Sequence, residues 1–337
     1  MGNFQLVRRR CALGPSKAAT FSSIAFNLYD GVVRWGVPVF TMISGALFLS
    51  PDRKITVKAL YVKSILRIVA AFLVWSVFYA VVAYLQNGRL TGAIGQVFTG
   101  HYHQWFLFML VGLYIIVPLL RRITVSREAT SYFLAVAFFF SFVIPLALLT
   151  LQCADRLLDT PISLHDYAKN IYDKVHFHFA VGYSFYFVLG YYLHTAVIQK
   201  KTERAIYLLG ILGFAATVIL TKAASDYNGS PVEAFYGNFT CNVLLESIAM
   251  FIFAKQRMHR IIRTDKARAL VKTLAKYSFG VYLVHPFFLE TLSRLGWETT
   301  SFFPPISIPT IALSVFALSL CTSALLNRIP ILNKYIV

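Results

Sequence analysis

Carboxylates are scarce in this chain. Only 14 Asp and Glu stand against 32 Lys and Arg in 337 residues, for a net charge of +18. Cysteine is scarce too: Cys11, Cys153, Cys241 and Cys321 are scattered without CxxC spacing. That excludes a disulfide framework and a zinc site of the ribbon or finger kind. Cys241 and Cys321 fall in apolar segments and read as packing residues. Alternating apolar and polar strand patterns are missing, which argues against a β-barrel. Arg8-Arg9-Arg10 is followed by no continuous apolar core, so a cleavable signal peptide is not expected. No fixed-period repeat, low-complexity stretch or long polar interval points to a solenoid or a second soluble domain.

What the chain has is apolar length. Hydrophobic residues make up 58% of it and mean hydropathy is +0.64, above the roughly 45–50% apolar share of a soluble domain. They gather into nine segments of about bilayer length: Val32–Leu49, Ile65–Leu85, Trp105–Leu120, Tyr132–Leu151, Phe179–Ile198, Ala205–Thr221, Phe239–Ala254, Tyr277–Leu292 and Ile306–Leu326. Aromatics, at 16%, suit lipid faces and interfacial belts. The expected fold is all-α, a polytopic integral membrane helical bundle of about nine transmembrane helices. A tail without a span (1–31) precedes the membrane body (32–328), and a short tail (329–337) follows it. Pro118, Pro145 and the Pro304-Pro305 pair mark places for kinks or breaks.

The positive charge is laid out by topology. Arg53, Lys54, Lys58 and Lys63 follow the first segment, Arg121, Arg122 and Arg127 the third, and Lys200, Lys201 and Arg204 the fifth. Lys255, Arg257, Arg260, Arg263, Lys266, Arg268, Lys272 and Lys276 follow the seventh, against Asp265 alone. The intervening loops are poor in Lys and Arg: 86–104 has only Arg89, and 152–176 has more Asp than basic residues. By the positive-inside rule the first set is cytoplasmic, and the C-terminus with it. This distribution sets nucleic acid aside as a partner and names the bilayer instead.

Several polar residues sit where an anchoring span needs none. Arg34 stands at the mouth of Val37-Pro38-Val39-Phe40, ahead of the Ser44-Gly45 step; it either snorkels or faces a wet cavity. Arg67 follows Lys63 by one helical turn, and the pair reads either as a headgroup belt or as phosphate ligands. His101 and His103 precede Trp105 at the expected outer end of the third span, where a histidine is interfacial or shuttles a proton. Glu246 lies mid-span near Asn238 and Asn242, as a hydrogen-bonded structural group or a proton relay. His285 lies inside its span before Pro286, which removes a backbone donor and frees a carbonyl for His285 or a bound group. His176 and His178 lack metal-ligand spacing and read as a solvated loop, so no metal site is expected.

These residues fall within a set of motifs that resembles one family. Val37-Pro38-Val39-Phe40 with Met42-Ile43-Ser44-Gly45, then Trp75-Ser76, then His103-Gln104-Trp105-Phe106-Leu107 with Gly112-Leu113-Tyr114 and Pro118, come in order. Tyr186-Phe187-Val188-Leu189-Gly190-Tyr191-Tyr192 and Ser278-Phe279-Gly280-Val281-Tyr282-Leu283-Val284-His285-Pro286 complete it. Over 34–290 the chain is similar to the acyltransferase type 3 family of bacterial membrane enzymes, nearest the branch that O-acetylates surface polysaccharides and lipid-linked precursors. The resemblance implies a body of about ten spans in the bacterial inner membrane. It implies transfer of an acyl group, usually acetyl, from cytoplasmic acyl-CoA to a sugar hydroxyl of a glycan or lipid-linked glycan. No cofactor is held permanently, since acyl-CoA is a donor substrate. On this reading His103 is the catalytic acid/base. Arg67, Arg121 and Arg122 take the CoA phosphates, and Arg34, Trp105 and His285 bind the acceptor. Two departures stand out. The family's first span, with its arginine and favoured catalytic histidine, is not found before Val32, and Ser64 replaces one of a basic pair. A truncated or mis-started, inactive form is therefore one expectation, with Ala18–Gly31 as an external loop. A transporter or exporter of a lipid-linked sugar is the non-enzyme alternative.

Overall fold

The computed structural model describes residues 17–51, 53–158, 163–174 and 182–335. His176, His178, Cys11 and the Arg8-Arg9-Arg10 run lie outside the described residues. No strand occurs among the described residues, and seven helices are long and apolar enough to cross a membrane. The protein is an all-α polytopic membrane protein, as its composition implies.

Those seven account for seven of the nine expected segments. Of the other two, Phe179–Ile198 is the short helix Tyr183–Thr195, while Tyr277–Leu292 lies in the long, more polar helix Asp265–Arg294. The chain folds as two compact units, residues 1–53 with 117–258 and residues 54–116 with 259–337.

In the first unit, α1 (Lys17–Val33) passes through a turn at Arg34-Trp35 into α2 (Gly36–Phe48). The Ala18–Gly31 stretch, expected as a loop, is therefore helix, and the first apolar span begins at Ser22 rather than Val32. Ser22, Ser23, Asn27 and Asp30 lower its hydropathy, but Asn27 at least has its polar groups placed. Its Nδ2 donates to the Val218 carbonyl (2.8 Å), and its Oδ1 accepts from the Tyr236 hydroxyl (2.5 Å).

The tightest contact of this unit joins α2 to the helix Tyr183–Thr195. A Cβ at Gly45 would fall on the Phe187 carbonyl, and one at Gly190 on the Met42 carbonyl, so the two backbones touch. Small residues at such a crossing are how helices associate in lipid, where burial of apolar surface supplies little drive. All residues from Ser184 to Gly190 are buried, so this short helix is enclosed by protein. Lys200–Asn228 packs on Cys241–Ile261 in the same manner, with Gly210 against Ala249 and Gly213 against the Asn242 carbonyl.

In the second unit, α3 runs from Val57 to Asn87, with a π-helical stretch at Leu60–Ile65. It packs against α4 (Leu90–Thr99), and α5 (Trp105–Ile123) begins within this unit. The helix Asp265–Arg294, called α6 below, packs along α7 (Pro304–Leu326). Ser323 on α7 donates to the Tyr277 carbonyl (3.0 Å), giving a buried hydroxyl a partner across that interface.

Candidate active site

The third span starts earlier than hydropathy places it and is broken in the middle. The candidate span is Leu90–Ile123, 34 residues, with α4 and α5 separated by Gly100–Gln104. Gly100 ends α4 at φ +75°, and a Cβ there would lie 2.7 Å from the Phe72 ring. Only glycine supplies both the backbone angle and the room. Gln104, with no exposed surface, closes the break. Its Oε1 accepts from the His101 N–H (2.7 Å) and the Ser76 hydroxyl (3.2 Å), and its Nε2 donates to the Phe72 carbonyl (3.4 Å). Backbone groups freed inside a span must find such partners, because the bilayer core offers none.

This anchoring places the histidines along α3. Phe72 is the middle residue of the 31-residue rod Val57–Asn87, about 20 Å from either end at helical rise. His101 stacks on Tyr79 of the same rod, ring centroids 4.2 Å apart. The candidate span begins at Leu90, so His101 and His103 fall at a break within it rather than at its first residues, where the sequence put them. Gly92, Gly95 and the threonines of α4 keep its hydropathy low and hid the outer half of the span from a reading by composition.

The histidines are joined to each other and to an acid. His101 Nδ1 and His103 Nδ1 are 3.1 Å apart, and His101 Nε2 lies 3.1 Å from Glu290 Oε1 on α6. His103 is only 6% exposed. Its Nε2 is buried and has no hydrogen-bond partner among the described residues. The Leu283 carbonyl also faces this ring, and it accepts from the Tyr79 hydroxyl at 2.8 Å. A buried polar atom left open at a helix break is the kind of exception that calls for a functional reason.

Tyr282 and His285 bring α6 to the same place. The Tyr282 hydroxyl donates to the His103 carbonyl (2.6 Å), and the His103 ring lies 5.3 Å from Tyr282 and 5.6 Å from His285. Pro286 cannot donate to the carbonyl four residues back, that of Tyr282. His285 Nδ1 takes that place, 2.7 Å from the Tyr282 oxygen. The carbonyl freed by proline is thus used by His285, as the sequence suggested. A neutral imidazole donating through Nδ1 keeps its lone pair on Nε2.

The remaining expected site residues are distributed as follows. Trp105, the first residue of α5, is 44% exposed and stands edge-on to Phe106. Arg67 lies on the exposed side of α3, its guanidinium 5.7 Å from the Phe279 ring. Arg121 uses one guanidinium nitrogen on the carbonyls of Ser50 (3.2 Å) and Arg53 (2.9 Å). Arg122 is exposed. Arg34 belongs to the first unit, where it pairs with Asp30 and lies 4.2 Å from the Tyr236 ring centroid. Glu246, 4% exposed, accepts from the Thr217 hydroxyl (2.5 Å), which in turn accepts from Asn242 (2.7 Å). It is a hydrogen-bonded group, as its neighbours implied.

The structure therefore brings His103 and His285 together and adds His101, Gln104, Tyr79, Tyr282 and Glu290. Glu290 was legible in principle, as an acid inside an apolar segment of a chain with few acids. Gln104 and Tyr79 carried no separate signal. Comparison with curated proteins and with solved structures gave no match. The family model described as an acyltransferase domain, of the type 3 class, matches residues 7–328. With that match covering nearly the whole chain, the protein belongs to the acyltransferase type 3 family.

Proposed function

We propose that this membrane acyltransferase moves an acetyl group from acetyl-CoA to a sugar hydroxyl of a surface polysaccharide or lipid-linked glycan. The observation that carries the reading is the open, buried Nε2 of His103 at the break of a span. In the proposed reaction Nε2 takes the proton of the attacking hydroxyl as its oxygen bonds to the thioester carbonyl carbon. The C–S bond then breaks, and the imidazolium returns the proton to the leaving thiolate. General-base help of this kind contributes about 10²–10⁴ in rate. His285, through its Nε2, is suited to hold a neighbouring acceptor hydroxyl. Trp105 and Arg34 are the further acceptor candidates, each in its own unit.

Arg67, or separately Arg122 in the other unit, is proposed as a ligand of the CoA phosphates, for which a guanidinium is well matched. Arg121, which uses one guanidinium nitrogen on two backbone carbonyls, is a third candidate. The loop charges support an orientation in which these arginines and the C-terminus face the cytoplasm. A broken span with polar groups at its break is also how transporters build substrate sites, so export of a lipid-linked sugar is the second reading. Purified protein in proteoliposomes, given acetyl-CoA labelled in its acetyl group and crude glycan acceptor, separates the two. Label on glycan is the expected result. Glycan translocated with all label left on CoA would overturn the enzyme reading.

A further inference from the structure

The hydrogen bonds around His103 determine which of its nitrogens carries the proton. A carboxylate only accepts, so Glu290 requires a hydrogen on His101 Nε2, 3.1 Å away. A neutral His101 protonated there has its lone pair on Nδ1. The Nδ1–Nδ1 contact of 3.1 Å to His103 holds a single proton, and His103 must then supply it. A neutral His103 protonated on Nδ1 bears its lone pair on Nε2, the buried atom without a partner. The opposite order would set the His101 Nε2 lone pair against the carboxylate. Tyr79 stacked on His101 and Tyr282 bonded to the His103 carbonyl hold both rings in place.

We propose that Glu290 and His101 are positioning residues that act through His103. They fix it in the tautomer whose Nε2 is the base, and they stabilise the imidazolium formed when that nitrogen takes a proton. The chain Glu290–His101–His103 does the work of an acid-oriented imidazole with a second imidazole inserted. This inference rests on the proposed role of His103 and extends it to two residues that touch no substrate.

The test compares Glu290→Gln, Glu290→Asp and His103→Ala in acetyl transfer by the purified full chain. The Gln amide can turn its NH2 toward His101 Nε2, which reverses both tautomers and places a hydrogen on His103 Nε2. Glu290→Gln is expected to lower kcat by up to about 10⁴, the loss seen when an orienting acid is made an amide, with KM for both substrates unchanged. Glu290→Asp keeps the acceptor and should recover most of the lost kcat. If Glu290→Gln turns over like the wild type while His103→Ala is inactive, the relay is wrong and the base assignment stands. If Glu290→Gln raises KM and lowers folded yield with kcat, and Asp restores nothing, Glu290 is structural and the relay is overturned. Wild-type transfer by His103→Ala would remove the base itself.

Discussion

Gly100 and Gln104 shape the break that carries the histidines. Alanine at position 100 would need φ near +75° and a Cβ 2.7 Å from the Phe72 ring and 3.0 Å from Gln104 Oε1. A residue forced into such backbone costs about 1–3 kcal/mol, so Gly100→Ala should lower the melting temperature in detergent and reduce turnover. Gln104→Leu nearly conserves volume but strands the His101 N–H and the Ser76 hydroxyl. Each buried donor left unsatisfied costs about 1–3 kcal/mol. That variant should therefore lose turnover as well as melting temperature; wild-type values of both would show the break to be held by something else. Arg67→Ala, by contrast, should raise KM for acetyl-CoA and leave acceptor preference alone. An unchanged KM in a steady-state titration would assign Arg67 to lipid headgroups.

Among elements, the contrast between glycines is the sharpest test of packing. Gly190 has the Met42 carbonyl where its Cβ would stand, whereas Gly112 on α5 has nothing within 4 Å. Gly190→Ala should separate the two helices and lower the folded fraction recovered on size exclusion, by the roughly 1–3 kcal/mol typical of overpacking. Gly112→Ala should be tolerated. The same elements show what a sequence exposes and what it withholds. Long apolar helices were legible because lipid demands about twenty apolar residues in a row. The close step at Ser44-Gly45 was legible because glycine at a membrane crossing has few other uses. The carbonyl freed by Pro286 followed from proline's missing N–H. The broken span was not legible: α4 is diluted by Gly, Thr and Gln, and what keeps it with α5 is the contact of Gly100 and Gln104 with α3, about thirty residues earlier in the chain. Glu290 and His101 meet across nearly two hundred residues, a pairing no local pattern announces. Arg34 was singled out in the sequence, but Asp30 became visible as its partner only once Ala18–Gly31 proved helical.

For the molecule as a whole, the proposed orientation rests on the charge distribution and the proposed chemistry on the His103 cluster. The eight basic residues of 255–276 dominate the bias of the chain, so a reporter fused after Lys334 should register as cytoplasmic. A periplasmic signal would invert the proposed entry side for acyl-CoA. The account stands or falls on whether His103 is the base. The most direct measurement is single-turnover acetyl transfer to glycan by purified wild type and His103→Ala, at matched folded concentration and saturating acetyl-CoA. The account predicts that the rate constant of the variant falls by about 10²–10⁴ while acetyl-CoA still binds with wild-type affinity. Transfer by a folded His103→Ala at the wild-type rate would contradict it.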